Sequence, residues 1–123
     1  MLNDVQIDVW ADCFGSSWPK KYVQSQTFTH PAKFARKLVR KCYEHAFSNG
    51  WIKRGEIVID PFAGVGMGGM DAMLLGLHWY GLELESHFVQ IASENIALWQ
   101  RLNLPGNATV LQADSRNLAF LSA

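Results

Sequence analysis

Apolar residues along this chain change their period from one stretch to the next, and the changes mark out its elements. Phe34, Leu38, Cys42 and Ala46 recur every four residues behind Thr29-His30-Pro31, where a hydroxyl can cap a helix and proline fits the first turn. The pattern predicts a helix that stops at Asn49-Gly50. Glu56 to Asp60 is a short, almost wholly apolar run, the form taken by a strand of a parallel sheet with helices over both faces. Gly68 to Leu77 is apolar nearly all round, which predicts a buried helix whose last turn Gly76 weakens. His78 to Glu83 then reads as a second strand, and His87 to about Arg101 as an amphipathic helix with Phe88, Ile91, Ala92, Asn95, Leu98, Trp99 and Leu102 along one side. After Pro105-Gly106, Ala108 to Ala113 forms a third strand leading to Asp114. Strand, helix, strand, helix, strand specifies a parallel sheet with right-handed crossovers, so the expected fold class is α/β.

Residues 1–28 keep no period, and Gly15-Ser-Ser and Trp18-Pro-Lys-Lys-Tyr interrupt any long element. An irregular arm is expected there, ahead of one α/β domain over residues 29–123. With 123 residues, 49% of them hydrophobic, and a formal net charge of zero, the chain can form a core and is neither a disordered acidic tail nor a globally basic coat. Any polyanion contact must come from a local patch. The first helix offers one in Lys33, Arg36, Lys37, Arg40 and Lys41, opposite its apolar positions, as either a solvated face or a phosphate contact. Cys13 and Cys42 lack zinc spacing and a disulfide framework, the N-terminus carries acids, and no apolar run reaches membrane length. A reduced, cytoplasmic protein without metal or membrane span is expected.

Candidate chemistry collects at the strand ends. In Asp60-Pro61-Phe62-Ala63-Gly64-Val65-Gly66, the small residues allow close approach of the backbone to a ligand. The carboxylate beside this turn suits a cationic or hydroxyl-bearing ligand better than a pyrophosphate, which favours S-adenosylmethionine over NAD. Asp60, Glu83 and Asp114 should fall in a row along the carboxyl rim of the sheet. Asp60 can orient the loop and, through water, a ligand ammonium; Glu83 can accept two ribose hydroxyls; Asp114 can accept the adenine amine. Leu82, Leu84 and Phe88 could wall the adenine ring. Acids after strands also serve as helix caps, and the interval from glycine loop to Glu83 suits a dinucleotide fingerprint, so a domain of an oxidoreductase stays open.

These residues carry a family resemblance from about Thr29 to Leu118. Asp60-Pro-Phe-Ala-Gly-Val-Gly resembles the S-adenosylmethionine loop of DNA amino-methyltransferases, which methylate adenine N6 or cytosine N4. His30-Pro31-Ala32-Lys-Phe is similar to the preceding segment that holds the cofactor's methionine end. Gly81-Leu-Glu83-Leu84-Glu resembles the ribose-binding strand end, and Leu111-Gln-Ala-Asp114-Ser115-Arg-Asn the strand end that contacts adenine. The resemblance implies a Rossmann-like class I methyltransferase fold, present here in part, with S-adenosylmethionine as cofactor and DNA as partner of the intact enzyme. Two positions depart from the pattern. Met67 stands where relatives carry threonine or another small residue, so its thioether would wall the pocket. The Asp/Asn/Ser-Pro-Pro-aromatic segment that binds the target amine does not occur in these 123 residues; family order puts it beyond the third strand. No catalytic residue is therefore expected here, and the chain alone reads as inactive, or as a non-catalytic or split-enzyme cofactor module. A sheet of about three strands would leave a strand edge and an apolar helix face bare, to be covered by a second copy, a partner chain or a tight arrangement of the N-terminal arm.

Overall fold

The computed structural model describes Val23 and residues 36–119. Within them Arg36–Ser48 (α1), Ile57–Asp60 (β1), Met67–Leu74 (α2), His78–Glu83 (β2), Ser86–Gln100 (α3) and Asn107–Gln112 (β3) follow one another in the expected alternation. The predicted arm, Val23 apart, and the predicted helix start at Thr29 lie outside the described residues.

Strand β2 lies between β1 and β3 and pairs in parallel with both, Ile57 beside His78 and His78 beside Asn107. The chain thus steps across the sheet in one direction. Two crossovers of the same hand, taken in the same direction, must leave their helices on the same side. Helices α2 and α3 accordingly touch each other as well as the sheet. The face that carries Val58, Trp79, Ala108 and Val110 packs into the core, with Trp79 only 1% exposed. On the opposite face Ile57 and Ile59 are 61% and 46% exposed and Leu111 is exposed as well, while Leu82 beside Leu111 is fully buried. This corrects the expectation drawn from the apolar run of β1. Among the described residues helices cover one sheet face, while on the other Ile57, Ile59 and Leu111 stay exposed around the buried Leu82. Covering that face takes connections that leave β1 in the opposite direction, and the outer edge of β1 pairs with no strand among the described residues.

The covered face is built around the Trp79 indole. A Cβ on Gly69 would lie 2.9 Å from that ring, and one on Gly81 would overlap it, so two glycines make the space that the ring fills. Trp99 from α3 and Met73 from α2 complete the fully buried centre.

Two helices differ from expectation. Helix α2 ends at Leu74, three residues early. Gly76 adopts φ 77 and donates to the Met73 carbonyl at 3.2 Å, while Leu77 donates to Ala72 at 2.9 Å. Gly76 therefore closes a Schellman motif and ends the helix rather than weakening it. Helix α1 docks through a different face from the one predicted: Cys42 is exposed, whereas Tyr43 and Phe47 pack on the core. Arg36 and Arg40, expected on the solvated or phosphate-binding stripe, instead approach Asp71 of α2 at 3.4 and 3.5 Å. A buried acid on the neighbouring helix decides which side of α1 faces in.

Candidate cofactor cleft

Strand β1 ends at Asp60, whose Oδ1 accepts the Phe62 N–H at 3.0 Å, and this side-chain turn starts the glycine loop. The loop is then tied to its surroundings one residue at a time. Ala63 N–H donates to the Leu82 carbonyl at 2.9 Å, Gly64 N–H to Glu83 Oε1 at 3.0 Å, and Gly66 N–H back to the Ala63 carbonyl at 2.8 Å. From α3, the fully buried Asn95 donates its amide to the Val65 carbonyl at 2.9 Å. Gly66 sits at φ 86 just before α2, and a Cβ there would lie 3.2 Å from that of Ala92. Glycine at this point permits both the left-handed turn and the approach of α3.

Between the loop and the ends of β2 and β3 lies a cleft of about 350 Å³. Asp60, Pro61, Phe62, Ala63 and Gly64 line one side; Glu83 and Leu84 follow; Asp114 and Ser115 close the far side; Met67, Gly68 and Leu82 complete the wall. Of the described loop and strand-end residues expected at the site, Gly66 does not line the cleft and acts behind it. Phe88, expected as an adenine wall, packs against the core instead, because the first turn of α3 aims it inward. Met67 does wall the cleft, as its place in the loop suggested. His30, Pro31 and Ala32 lie outside the described residues.

The three acids have different environments. Glu83 accepts a backbone N–H on each oxygen, from Gly64 at 3.0 Å and from Glu85 at 2.9 Å. Each oxygen keeps a further lone pair, so the carboxylate is aimed before any ligand arrives. Asp60 is set back from solvent, and burial raises its carboxyl above the ordinary range, with the Phe62 N–H working against the shift. Its Oδ2 makes no hydrogen bond among the described residues. Asp114 is gripped by Arg116, whose Nε lies 3.0 and 3.1 Å from the two oxygens and whose Nη2 lies 2.6 Å from Oδ2. The hydrogen bonds from that side chain and from the Arg116 N–H bring its carboxyl down to about 2. A ligand amine at Asp114 would share it with this guanidinium.

Tyr43, Asp71 and Arg116 are the residues that sequence reasoning did not mark. Tyr43 donates its hydroxyl to the Gly68 carbonyl at the cleft wall, 2.9 Å away. The available signal was Asp71, an acid inside the otherwise apolar helix Met67–Leu74.

A parallel sheet whose first strand turns through glycines into a helix, with acids at its strand ends, defines a Rossmann-like methyltransferase fold, here in part. A crystal structure of a candidate RNA methyltransferase from Pyrococcus horikoshii shares it, with a TM-score of 0.53 and 21% identity over 85% of this chain and 47% of that one. The sequence profile of the DNA methylase family, the N6 and N4 type, matches residues 4–94, and the chain belongs to that family. The orphan methyltransferase M.BamHII of Bacillus amyloliquefaciens is 32% identical over 92 residues, which are 75% of this chain. Those residues are 32% of that relative, so the chain spans about a third of its length.

Proposed function

We propose that this chain is the cofactor-binding portion of a DNA methyltransferase acting on adenine N6 or cytosine N4, and that the cleft takes S-adenosylmethionine. One observation carries the choice of ligand. A pyrophosphate site in this fold needs free loop N–H groups. Here the turn's leading N–H groups, those of Phe62, Ala63 and Gly64, and that of Gly66 are donated to protein acceptors, two of them to carboxylates, which leaves the positions at the start of the following helix for any anion. Beside the leading part of the turn the cleft therefore presents acceptors to its ligand: Glu83 for two hydroxyls and Asp60 Oδ2 for an ammonium. These suit the ribose and the amino-acid end of S-adenosylmethionine, and the cleft volume falls in the usual range of about 300–1,000 Å³ for small-molecule sites.

When bound, that cofactor supplies an activated methyl group. The residues here bind and orient it: Glu83 fixes the ribose, Asp60 the ammonium, and Leu82 and Leu84 offer apolar wall to the adenine. Transfer to a base amine depends mainly on position and on hydrogen bonds to the amine. The 123 residues contain no Pro-Pro pair to supply them. Cofactor binding without methyl transfer is thus expected of the chain alone, with DNA the partner of the intact enzyme. The bare face around Ile57 and Ile59 supports a further polypeptide, a second copy or a partner chain, completing the sheet. Among the described residues no helix is long and apolar enough to cross a membrane, and none of their acid, histidine and cysteine groups forms a metal cluster. A cytoplasmic setting fits the reading.

Calorimetry with S-adenosylhomocysteine and with NADH tests it. Binding of the former is expected, and binding of NADH alone would overturn the proposal. Glu83→Ala should weaken S-adenosylhomocysteine by about 1–3 kcal/mol, the cost of losing a charged acceptor. Unchanged affinity would move the ribose contact to another group, such as Glu85.

A further inference from the structure

A second acid lies behind the Asp60 end of the cleft, and cofactor binding as described leaves it without a task. Asp71 is fully buried in α2, with Arg36 and Arg40 of α1 at its Oδ1. Burial raises its carboxyl above the ordinary range even against both arginines. An apolar side chain would dock the two helices without the several kcal/mol that desolvating an ion costs. An acid that takes up two guanidinium groups instead fixes how the helices register.

The same seam reaches the cleft wall. Three residues before Asp71 in α2, Gly68 presents its carbonyl to Tyr43 of α1 at 2.9 Å. A Cβ on Gly68 would stand 3.3 Å from Asp60 Oδ2, so the backbone that Tyr43 holds is the backbone against which Asp60 rests. The Glu83 end is held by Gly64 of the same loop, four residues before Gly68, and by its own neighbour Glu85. The Tyr43 hydrogen bond from α1 thus meets the cleft at the Gly68 and Asp60 end, while Glu83 is aimed by backbone N–H groups outside α1.

We infer that Asp71 and Tyr43 are positioning residues for the Asp60 end, setting affinity for the amino-acid end of S-adenosylmethionine and leaving its adenosine end unaffected. The inference rests on the reading of the cleft as an S-adenosylmethionine site. Calorimetry on the full chain with two probes tests it: S-adenosylhomocysteine, and 5′-methylthioadenosine, which lacks the amino-acid portion. Tyr43→Phe and Asp71→Asn should each weaken the first about tenfold, the size of one well-placed hydrogen bond, and leave the second within about twofold. Equal losses on both probes, or unchanged affinity for S-adenosylhomocysteine, would overturn the inference. If the wild-type chain binds neither probe, the cofactor reading fails, and hydrogen exchange of the ligand-free protein decides the seam. Faster exchange at residues 60–69 with unchanged rates at 83–86 in Asp71→Asn supports it; uniform change, or none, overturns it. Tyr43→Phe keeps the ring and its packing, and so serves as the variant if Asp71→Asn does not fold.

Discussion

The two faces of this small sheet are made from similar residues and have opposite environments. Val58 and Trp79 lie under helices, while Ile57 and Ile59, which flank Val58 in β1 and are just as apolar, face outward. The difference comes from topology. Among the described residues both crossovers advance in one direction, so α2 and α3 land on one side. The comparison separates two meanings of an apolar strand. On the helix side apolarity contributes to the stability of the chain itself; on the other it contributes only once something covers it.

The largest effect should come from Trp79→Ala. Removing a fully buried indole that two glycines accommodate should cost about 3–5 kcal/mol, read by urea or thermal unfolding. A loss below about 1 kcal/mol would mean that the covered face is loosely packed. Asp71→Ala should cost less, about 1–3 kcal/mol, because the arginines it leaves behind are 26% and 43% exposed and can turn to water.

The pH dependence should follow the same division. Asp60 and Asp71 have carboxyls raised by burial, so the native state keeps protons that the unfolded chain has already released. Stability should therefore fall as pH rises from the ordinary carboxylate value of about 4 through the raised values. Asp71→Asn should remove part of that slope in denaturation midpoints. Asp114 acts in the reverse sense: its carboxyl is lowered to about 2 by Arg116, and its contribution is complete above the unfolded value and disappears as pH falls through about 2.

The smallest effect should come from the open face. Ile57→Thr with Ile59→Thr should change the stability of this chain by no more than about 0.5 kcal/mol, the usual range for solvent-facing substitutions. A cost above about 2 kcal/mol would show that this face is covered in solution, as packed isoleucines would be. Sedimentation of the same variant would then tell whether a second copy is the cover.

Much of the candidate cleft was legible because its signals are local. Positive-φ glycines, an acid at a strand end and a change from alternating to helical period all act within a few residues, so Asp60, Gly64 and Glu83 could be placed on one rim before any contact was known. Gly66 was marked for the right flexibility, yet its contribution is to the packing of α3. The face of α1 was misread for a physical reason. Its four-residue apolar spacing competed with a charge partner 31–35 positions away, and one buried acid outweighed Cys42 and Ala46. Phe88 failed likewise, since the direction of a side chain at a helix start depends on how the helix crosses the sheet.

The sequence by itself determined the alternation of elements, the parallel sheet, the loop and the three rim acids, because each follows from backbone conformation or from periods read over a few residues. Only the tertiary structure decided that Gly64 donates its N–H to Glu83 and so denies it to a phosphate, that Arg116 grips Asp114, that Asp71 meets Arg36 and Arg40, and that among the described residues Ile57 and Ile59 stay exposed. Each of these depends on the distance between residues far apart in the chain or on the direction of a crossover, and neither quantity is carried by local pattern.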